Sequence, residues 1–324
     1  MTDMQLKVVD IQQLTAGIKK FEFEAADGGA LPEWQAGAHM VLVLDTHLHK
    51  SYSLANDPAE TGTYVTAILR EENGAGGSKH MHDQVKVGDV LTAQGPNNNF
   101  ALAEDAKSHL LIAGGIGITP LMAMGRRLKA IGADVHLHYC TKSPEETAFI
   151  DEAKEVFGDN LTFHHDGGDP AQGIKLEQVL KEPGEGRHLY ICGPTGLLNA
   201  AREAAGHWPE GTVHFELFAS SRAADETAEA QQHTGDHEFE IELTKTGKTF
   251  KVPVGKSIMQ VLWDNKVEVM YACEEGWCGN CKTGLLGGEA DHRDECLDDK
   301  ERESHIQVCI SRAAPGETKL ILDI

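Results

Sequence analysis

The sequence lacks a long apolar run and a secretory leader. No segment approaches the ~18 uninterrupted apolar residues that a helical bilayer crossing needs, and residues 1–5 (MTDMQ) lack the basic and apolar regions of a signal peptide. We therefore expect a cytoplasmic protein that does not use a membrane as a partner.

Basic residues are also scarce. The chain carries 29 Lys and Arg against 51 Asp and Glu, a formal net charge of -22. A charge of this sign repels phosphate backbones and anionic lipid headgroups. It argues against nucleic acid as a partner and favours a basic protein surface.

Cysteine is sparse and unevenly placed. Of seven cysteines, five follow position 272, and three of those lie within nine residues. A disulfide scaffold needs cysteines that are more numerous and more evenly spread. The clustering indicates a metal centre near the end of the chain.

Length and patterning predict a multidomain protein. At roughly 150 residues per domain, 324 residues suggest two or three domains. Residues 1–104 contain short β-prone runs separated by Gly, Asp and Asn turns, which is typical of an antiparallel sheet or β-barrel. Residues 105–224 alternate apolar strands with helical segments, which is typical of an α/β domain with a parallel sheet.

The rest of the chain divides into a linker and a small α+β domain. Residues 225–236 have no Val, Ile, Leu or aromatic residue to anchor them in a core, which predicts an interdomain linker. In residues 237–324, two alternating runs joined near Gly247 predict paired strands. Ser257 and Gln260 have the spacing of a capping box that opens a helix.

The cysteine cluster is the most specific motif. Cys273, Cys278 and Cys281 form C-x4-C-x2-C, and Cys309 follows after a further 27 residues. This spacing matches the plant-type pattern of four thiolates around a [2Fe-2S] cluster. A zinc site with four cysteines is the alternative, but such sites usually divide their ligands between two short pairs. The spacing favours a [2Fe-2S] cluster over a zinc site.

The glycines of this motif fit a cluster, and the remaining three cysteines do not belong to it. Gly276 and Gly279 permit positive φ and let peptide N–H groups approach the cluster sulfurs. Cys140, Cys192 and Cys296 fall outside the spacing and are not assigned to the metal, since a lone cysteine is more often a small buried apolar residue.

A glycine-rich turn follows an apolar strand of the α/β domain. It contains Gly114, Gly115 and Gly117 and opens a helix, with Thr119 suited to the N-cap and Pro120 to the first turn. The free N–H groups of a helix N-terminus attract the pyrophosphate of a dinucleotide. Such a turn can also be purely structural, because the third glycine of the dinucleotide fingerprint is missing.

A second turn strengthens the dinucleotide hypothesis. Cys192, Gly193 and Pro194 follow another apolar strand. The carboxyl ends of parallel strands share one sheet edge, where α/β domains bind ligands. We therefore expect both turns to contribute to one nucleotide site.

Together these motifs resemble the phthalate dioxygenase reductase and vanillate demethylase reductase family, members of the ferredoxin-NADP reductase superfamily that carry a C-terminal ferredoxin domain. The resemblance spans essentially the whole chain. It implies a flavin-binding barrel, a nicotinamide-binding α/β domain and a β-grasp ferredoxin domain. It also implies an NADH-dependent oxidoreductase.

The resemblance places a flavin on the barrel. The family's Arg-x-Tyr-Ser motif corresponds to Lys50, Ser51, Tyr52 and Ser53. Lysine supplies charge to a flavin phosphate without the bidentate fork of arginine, so the choice between FMN and FAD is open, with FMN favoured. The resemblance adds three further groups of flavin contacts: Ile68, which could equally be strand core; Gly76, Gly77 and Ser78, which could be a hairpin; and Thr119 with Phe218.

The resemblance also completes the nicotinamide site. Glu216 and Phe218 correspond to a Glu-x-aromatic pair at the end of this domain, where the aromatic ring covers the flavin until nicotinamide displaces it. Phe218 could otherwise be ordinary core. Lys142 alone is weak support for a 2′-phosphate site, so NADH is preferred over NADPH.

The cofactors set the expected chemistry and partner. NADH gives two electrons at once and a cluster accepts one, so a flavin is needed between them, and no catalytic acid–base pair is expected. By resemblance, the acceptor is the terminal oxygenase of a Rieske non-haem iron system acting on an aromatic acid or a methylated small molecule. It would dock on the ferredoxin domain near Trp277, unless that side chain packs internally, and the reductase would be a monomer.

Two other functions fit part of the sequence. One is the FAD-dependent reductase of a di-iron monooxygenase, although those reductases often place the ferredoxin domain first. The other is a non-enzymatic electron carrier or redox sensor in which the glycine-rich turns are only structural.

Overall fold

The computed structural model describes residues 3–45, 48–72, 76–217, 236–267, 269, 276, 279, 281–294 and 296–324. The chain divides into two compact units, Met1–Ser220 and Ser221–Ile324, which we call the N-terminal and C-terminal units. No helix among the described residues is long and apolar enough to cross a bilayer.

The N-terminal unit begins with a six-stranded antiparallel sheet in the order β4-β3-β6-β1-β2-β5. Its strands are β1 (Met4–Thr15), β2 (Ile18–Ala25), β3 (His39–Asp45), β4 (Leu48–Ser53), β5 (Tyr64–Leu69) and β6 (Val90–Asn97), and the helix α1 (Gly77–Asp83) precedes β6. Phe21 and Phe23 are buried two positions apart on β2, as the strand period requires. The hydroxyl of Thr66 on β5 donates to the carbonyl of Ser53 on β4 at 2.8 Å, which joins the two edge strands.

A five-stranded parallel sheet follows in the order β11-β10-β7-β8-β9. Its strands are β7 (Ser108–Gly114), β8 (Asp134–Thr141), β9 (Leu161–His165), β10 (Arg187–Gly193) and β11 (Val213–Leu217), and its helices are α2 (Ile118–Ala130), α3 (Ile150–Phe157), α4 (Leu176–Val179) and α5 (Thr195–Ala204). The chain runs outward from β7 to β9 and returns on the other side of β7 with β10. The strand order therefore reverses between β7 and β10, where α/β sheets bind ligands.

The two sheets of this unit share a core. Phe100 and Ala67 from the barrel segment pack in one buried cluster with Leu111 and Tyr190 of the parallel sheet. The Tyr190 hydroxyl accepts from the backbone N–H of Ala103 at 2.7 Å and donates to the Ala101 carbonyl at 3.2 Å. This packing fixes the position of the barrel against the parallel sheet.

The C-terminal unit contains a five-stranded mixed sheet in the order β13-β12-β18-β14-β16. Its strands are β12 (Phe239–Leu243), β13 (Lys248–Val252), β14 (Lys282–Gly287), β16 (His305–Gln307) and β18 (Lys319–Leu322); β15 (Ala290–Asp291) pairs with β17 (Arg312–Ala313), and the helices are α6 (Ile258–Asp264) and α7 (Asp299–Arg302). The Ser257–Gln260 capping box that opens α6 is confirmed. The predicted fold class, a barrel, a parallel α/β domain and a ferredoxin-like domain, is also confirmed.

A buried ion-pair network ties the start of the C-terminal unit to its interior. Asp236, the last residue of the predicted linker, pairs with Arg293 and lies 3.8 Å from Arg312, and its side chain is only 5% exposed. The guanidinium of Arg312 also stacks on the Phe239 ring at 5.1 Å. The chain is therefore fixed to the C-terminal unit from Asp236 onward.

Two helical glycines offer a matched test of the packing in the N-terminal unit. A Cβ at Gly125 of α2 would lie 2.2 Å from Cζ of the buried Phe157 ring, whereas a Cβ at Gly196 of α5 would meet nothing within 4 Å. We expect Gly125→Ala to lower the free energy of unfolding by about 1–3 kcal/mol through overpacking. Gly196→Ala should raise it by about 0.5 kcal/mol. Urea unfolding followed by circular dichroism measures both, and equal effects would contradict the packing.

Candidate functional site

The first glycine-rich turn lies at the carboxyl end of β7. Gly115 to Gly117 form a short 3-10 turn, and α2 begins at Ile118 with Gly117 as its N-cap. The expectation that Thr119 caps the helix is wrong, because Thr119 is inside the first turn and its hydroxyl donates to the Ile116 carbonyl at 3.0 Å. Pro120 lies in the first turn as predicted.

The second turn lies against the first. A Cβ at Gly117 would be 2.2 Å from the Cys192 carbonyl oxygen, and a Cβ at Gly193 would be 2.9 Å from Cα of Gly114. A Cβ at Gly114 would be 2.7 Å from Cδ of Pro194. Glycine is thus required at these three positions by the packing of one turn on the other.

Gly115 differs from its neighbours. A Cβ placed there would meet nothing within 4 Å, so this backbone borders open space in front of the N-terminus of α2. Free N–H groups of a helix N-terminus beside an open backbone suit an anion. The arrangement fits the pyrophosphate of a dinucleotide, and the roles of these residues in binding stay a prediction.

Three polar side chains meet where the barrel contacts this edge of the sheet. Cys192 on β10 and Glu216 on β11 are paired in register. The Ser53 hydroxyl of β4 donates to Oε2 of Glu216 at 3.4 Å, and the Cys192 thiol lies 4.0 Å from the same oxygen. The structure therefore brings a predicted flavin residue together with two predicted nicotinamide residues.

These groups are uncharged at neutral pH. Removal from water raises the pKa of Glu216 to about 8, opposed in part by the hydrogen bond from Ser53. Burial, followed by the neighbouring Glu216, raises the pKa of the Cys192 thiol. A neutral carboxylic acid, a thiol and a hydroxyl can donate and accept hydrogen bonds without adding charge beside a cofactor.

The other predicted flavin residues lie along β4 and α1. A Cβ at Gly77 would be 2.6 Å from Cγ of Lys50, so the aliphatic stem of this lysine crosses the start of α1. The Ser78 hydroxyl accepts from the backbone N–H of Glu71 at 3.0 Å, which holds the segment before α1. A lysine beside helix N–H groups suits a phosphate, with Gly76 as the N-cap residue.

Tyr52 and Ser51 are half-buried neighbours on the same strand. Burial, followed by the charge of Glu71, raises the pKa of the Tyr52 hydroxyl, which stays protonated. Phe218, the proposed ring over the flavin, lies outside the described residues. These assignments also stay predictions.

His82 is a residue that sequence reasoning missed. It is buried, and its Nε2 contacts the carbonyl of Ile68 at 2.7 Å. Burial lowers the pKa of His82 despite this bond. The backbone of Ile68, proposed to lie near the flavin, is thus held by a neutral imidazole, and a lone histidine gives no sequence signal for this role.

The structure describes two of the four predicted cluster ligands. Cys281 directly precedes β14, and Cys309 follows β16, the antiparallel neighbour of β14. Both thiols are buried. Cys273 and Cys278 lie outside the described residues, and the part of the chain that the structure describes contains no group of three or more metal-binding side chains.

The two glycines of the cluster motif have the backbone that the sequence predicts. Gly276 and Gly279 have φ angles of 77° and 72°. A Cβ at Gly276 would lie 2.7 Å from Cγ2 of Ile310 and 3.0 Å from Cα of Asp294. The two buried soft thiols, the positive φ of both glycines and the tight packing at Gly276 fit an iron–sulfur cluster.

Known proteins match these features along the whole chain. Residues 241–314 match the family described as "2Fe-2S iron-sulfur cluster binding domain". Phthalate dioxygenase reductase of Burkholderia cepacia is 40% identical over 99% of this chain and 97% of its own. Vanillate O-demethylase oxidoreductase of Pseudomonas sp. strain HR199 is 36% identical over 98% of this chain and 99% of its own.

A solved structure matches as well. It is that of a phthalate dioxygenase reductase, described as a modular structure for electron transfer from pyridine nucleotides to [2Fe-2S]. It superposes on this chain with a TM-score of 0.75. It is 39% identical and covers 99% of this chain and 98% of its own. The chain therefore belongs to the phthalate dioxygenase reductase and vanillate O-demethylase reductase family of oxidoreductases, and its C-terminal unit carries the 2Fe-2S domain.

Proposed function

We propose that the chain is the reductase component of an oxygenase system and passes electrons from NADH through FMN and a [2Fe-2S] cluster to a terminal Rieske-type oxygenase. The observation that carries this proposal is the meeting of Ser53, Cys192 and Glu216 between the barrel and the parallel sheet. We assign FMN to residues 1–104, NADH to residues 105–224 and the cluster to residues 237–324. Residues 225–236 are the proposed linker, of which Asp236 is already held in the C-terminal unit.

When bound, the flavin accepts two electrons together from NADH and releases them singly to the cluster. The task of the chain is to position the cofactors and to tune their electronic properties. Lys50 and the start of α1 supply positive charge for the FMN phosphate, and Tyr52 and Ser53 line the ring. Gly115 and the N-terminus of α2, with Thr119 nearby, receive the dinucleotide pyrophosphate.

Glu216 orients the nicotinamide through its protonated carboxyl group. In that form one oxygen donates a hydrogen bond and the other accepts one, which matches the carboxamide of the nicotinamide ring. Because the group is neutral, it adds no repulsion toward the phosphates of NADH. Ser53 holds the carboxyl group from the barrel side, and Cys192 limits the space beside it.

The acceptor oxygenase docks on the C-terminal unit. Residues 237–324 carry 17 Asp and Glu against 11 Lys and Arg, so a basic partner surface would be steered toward this unit, and the encounter would weaken with salt. We place the contact near Trp277, which lies outside the described residues. We further propose, from the sequence alone, that the reductase is a cytoplasmic monomer.

Removal of one cluster ligand tests the electron route. We expect Cys309→Ser to lose bound iron and NADH-dependent cytochrome c reduction, while NADH-dependent ferricyanide reduction at the flavin persists. Cys296→Ser is the matched control, because Cys296 lies outside the ligand spacing in the same unit, and it should keep both activities. Iron content and the two assays measure this. Full iron in the Cys309 variant would contradict the assignment.

The proton on Glu216 predicts a pH-dependent stability. The pKa of this carboxyl group is raised from 4.5 to about 8 in the folded chain, so its contribution is fully present below 4.5 and is lost as the pH rises through about 8. The amide in Glu216→Gln cannot ionise. As the pH rises from 4.5 to about 8, the wild type should lose stability, and the unfolding temperature of Glu216→Gln should therefore rise relative to that of the wild type. Glu210→Gln, at an exposed position, should follow the wild-type profile. Parallel profiles for Glu216→Gln and wild type would contradict a buried proton.

A further inference from the structure

Gln307 is a buried polar residue that the proposed electron route does not yet use. It ends β16 opposite Lys282 of β14, and its relative exposure is 0%. The thiol of Cys281 lies 2.8 Å from its Oε1 atom. Its Nε2 atom is buried and has no hydrogen-bond partner within the described part of the chain.

Such a side chain is costly without a function. A buried amide N–H left unpaired loses about 1–3 kcal/mol relative to its hydration in water. Apolar residues fill comparable interior positions of this sheet, including Leu243, Leu320 and Leu322. An unpaired amide beside a predicted cluster ligand therefore indicates a bond that forms when the cluster is present.

The protonation state of the ligand sets the direction of that bond. A cysteine sulfur that binds iron has lost its proton and can only accept a hydrogen bond. A half-turn of the amide exchanges Oε1 for Nε2 and brings an N–H donor to the sulfur. The turn breaks no bond to Nε2, because that atom has no partner among the described residues.

The same residue also shapes the segment that carries Cys309. The backbone carbonyl of Gln307 accepts from the N–H groups of Ile310 at 3.3 Å and Ser311 at 3.0 Å. These bonds close a turn around Cys309. Gln307 is thus connected to two of the four predicted ligands, to Cys281 through its side chain and to Cys309 through its backbone.

We propose that Gln307 is a positioning residue of the [2Fe-2S] site whose side-chain amide donates an N–H···S hydrogen bond to Cys281 and raises the reduction potential of the cluster. This proposal rests on the proposed function, since it requires the cluster. A donor to a ligand sulfur stabilises the additional negative charge of the reduced form. It favours electron transfer from the flavin toward the cluster.

Isotope labelling of the intact protein tests the bond without a mutation. Between residues 236 and 324, glutamine occurs only at positions 260 and 307. We expect pulsed EPR of the reduced holoprotein, grown with glutamine labelled with ¹⁵N in the side chain, to show a ¹⁵N hyperfine coupling. The coupling should persist in Gln260→Leu, because the carbonyl of that side chain caps α6 through the N–H of Ser257. A normal cluster signal without coupling overturns the proposal.

A redox titration gives the second readout. We expect Gln307→Leu to lower the midpoint potential of the cluster. The one-electron reduction equilibrium should fall roughly tenfold, which corresponds to about 59 mV. Gln260→Leu should leave the potential unchanged although it loses a helix cap. An unchanged potential in a cluster-loaded Gln307→Leu variant also overturns the proposal. Wild-type protein without a cluster would instead contradict the proposed function, so the two failures are distinguishable.

Discussion

The close approach of two glycine turns is the constraint on which the N-terminal unit depends. Gly117 lies against the Cys192 carbonyl, and Gly114 lies against Gly193, with no room for a Cβ at any of these three glycines. This contact occurs where the strand order reverses between β7 and β10. It brings β10 and β11 beside the barrel, so that Glu216 can accept a hydrogen bond from the hydroxyl of Ser53.

The electrostatics of the site follow from that packing. Removal from water keeps the proton on Glu216 at neutral pH and leaves the meeting point of the two sheets uncharged. Positive charge lies at the proposed phosphate end, where Lys50 crosses the start of α1. A neutral centre with a cationic end suits a molecule made of an uncharged ring and a phosphate. For the excess of acidic residues in the C-terminal unit we propose a different purpose, attraction of a protein partner with a basic surface.

Local patterns predicted most of the fold, and long-range contacts explain what they missed. The two-residue period of β2, the apolar run at the centre of β7 and the capping box at Ser257 each depend on neighbours in sequence, so each was predictable. Thr119 was expected to be a cap because its residue type suits one, yet a preceding 3-10 turn starts the helix earlier. Ser53 and Glu216 are 163 residues apart, and no local pattern indicates that they meet.

Composition can also mislead where charges are paired. Asp236 lies in a segment without apolar anchors, which is typical of a linker, but Arg293 and Arg312 hold it inside the C-terminal unit. Gln307 shows the same limit, because a polar residue at a strand end gives no sign of full burial beside Cys281. The spacing of the four cysteines was informative because it reflects the geometry of the ligand set itself.

Anaerobic titration of the purified chain with NADH is the sharpest test of the electron route, with optical absorption reporting the flavin and EPR reporting the cluster. We expect NADH to bleach the flavin and the EPR signal of a reduced [2Fe-2S] cluster to rise with it. A colourless protein, a zinc-containing protein, or a flavin that bleaches while the cluster stays oxidised would contradict it.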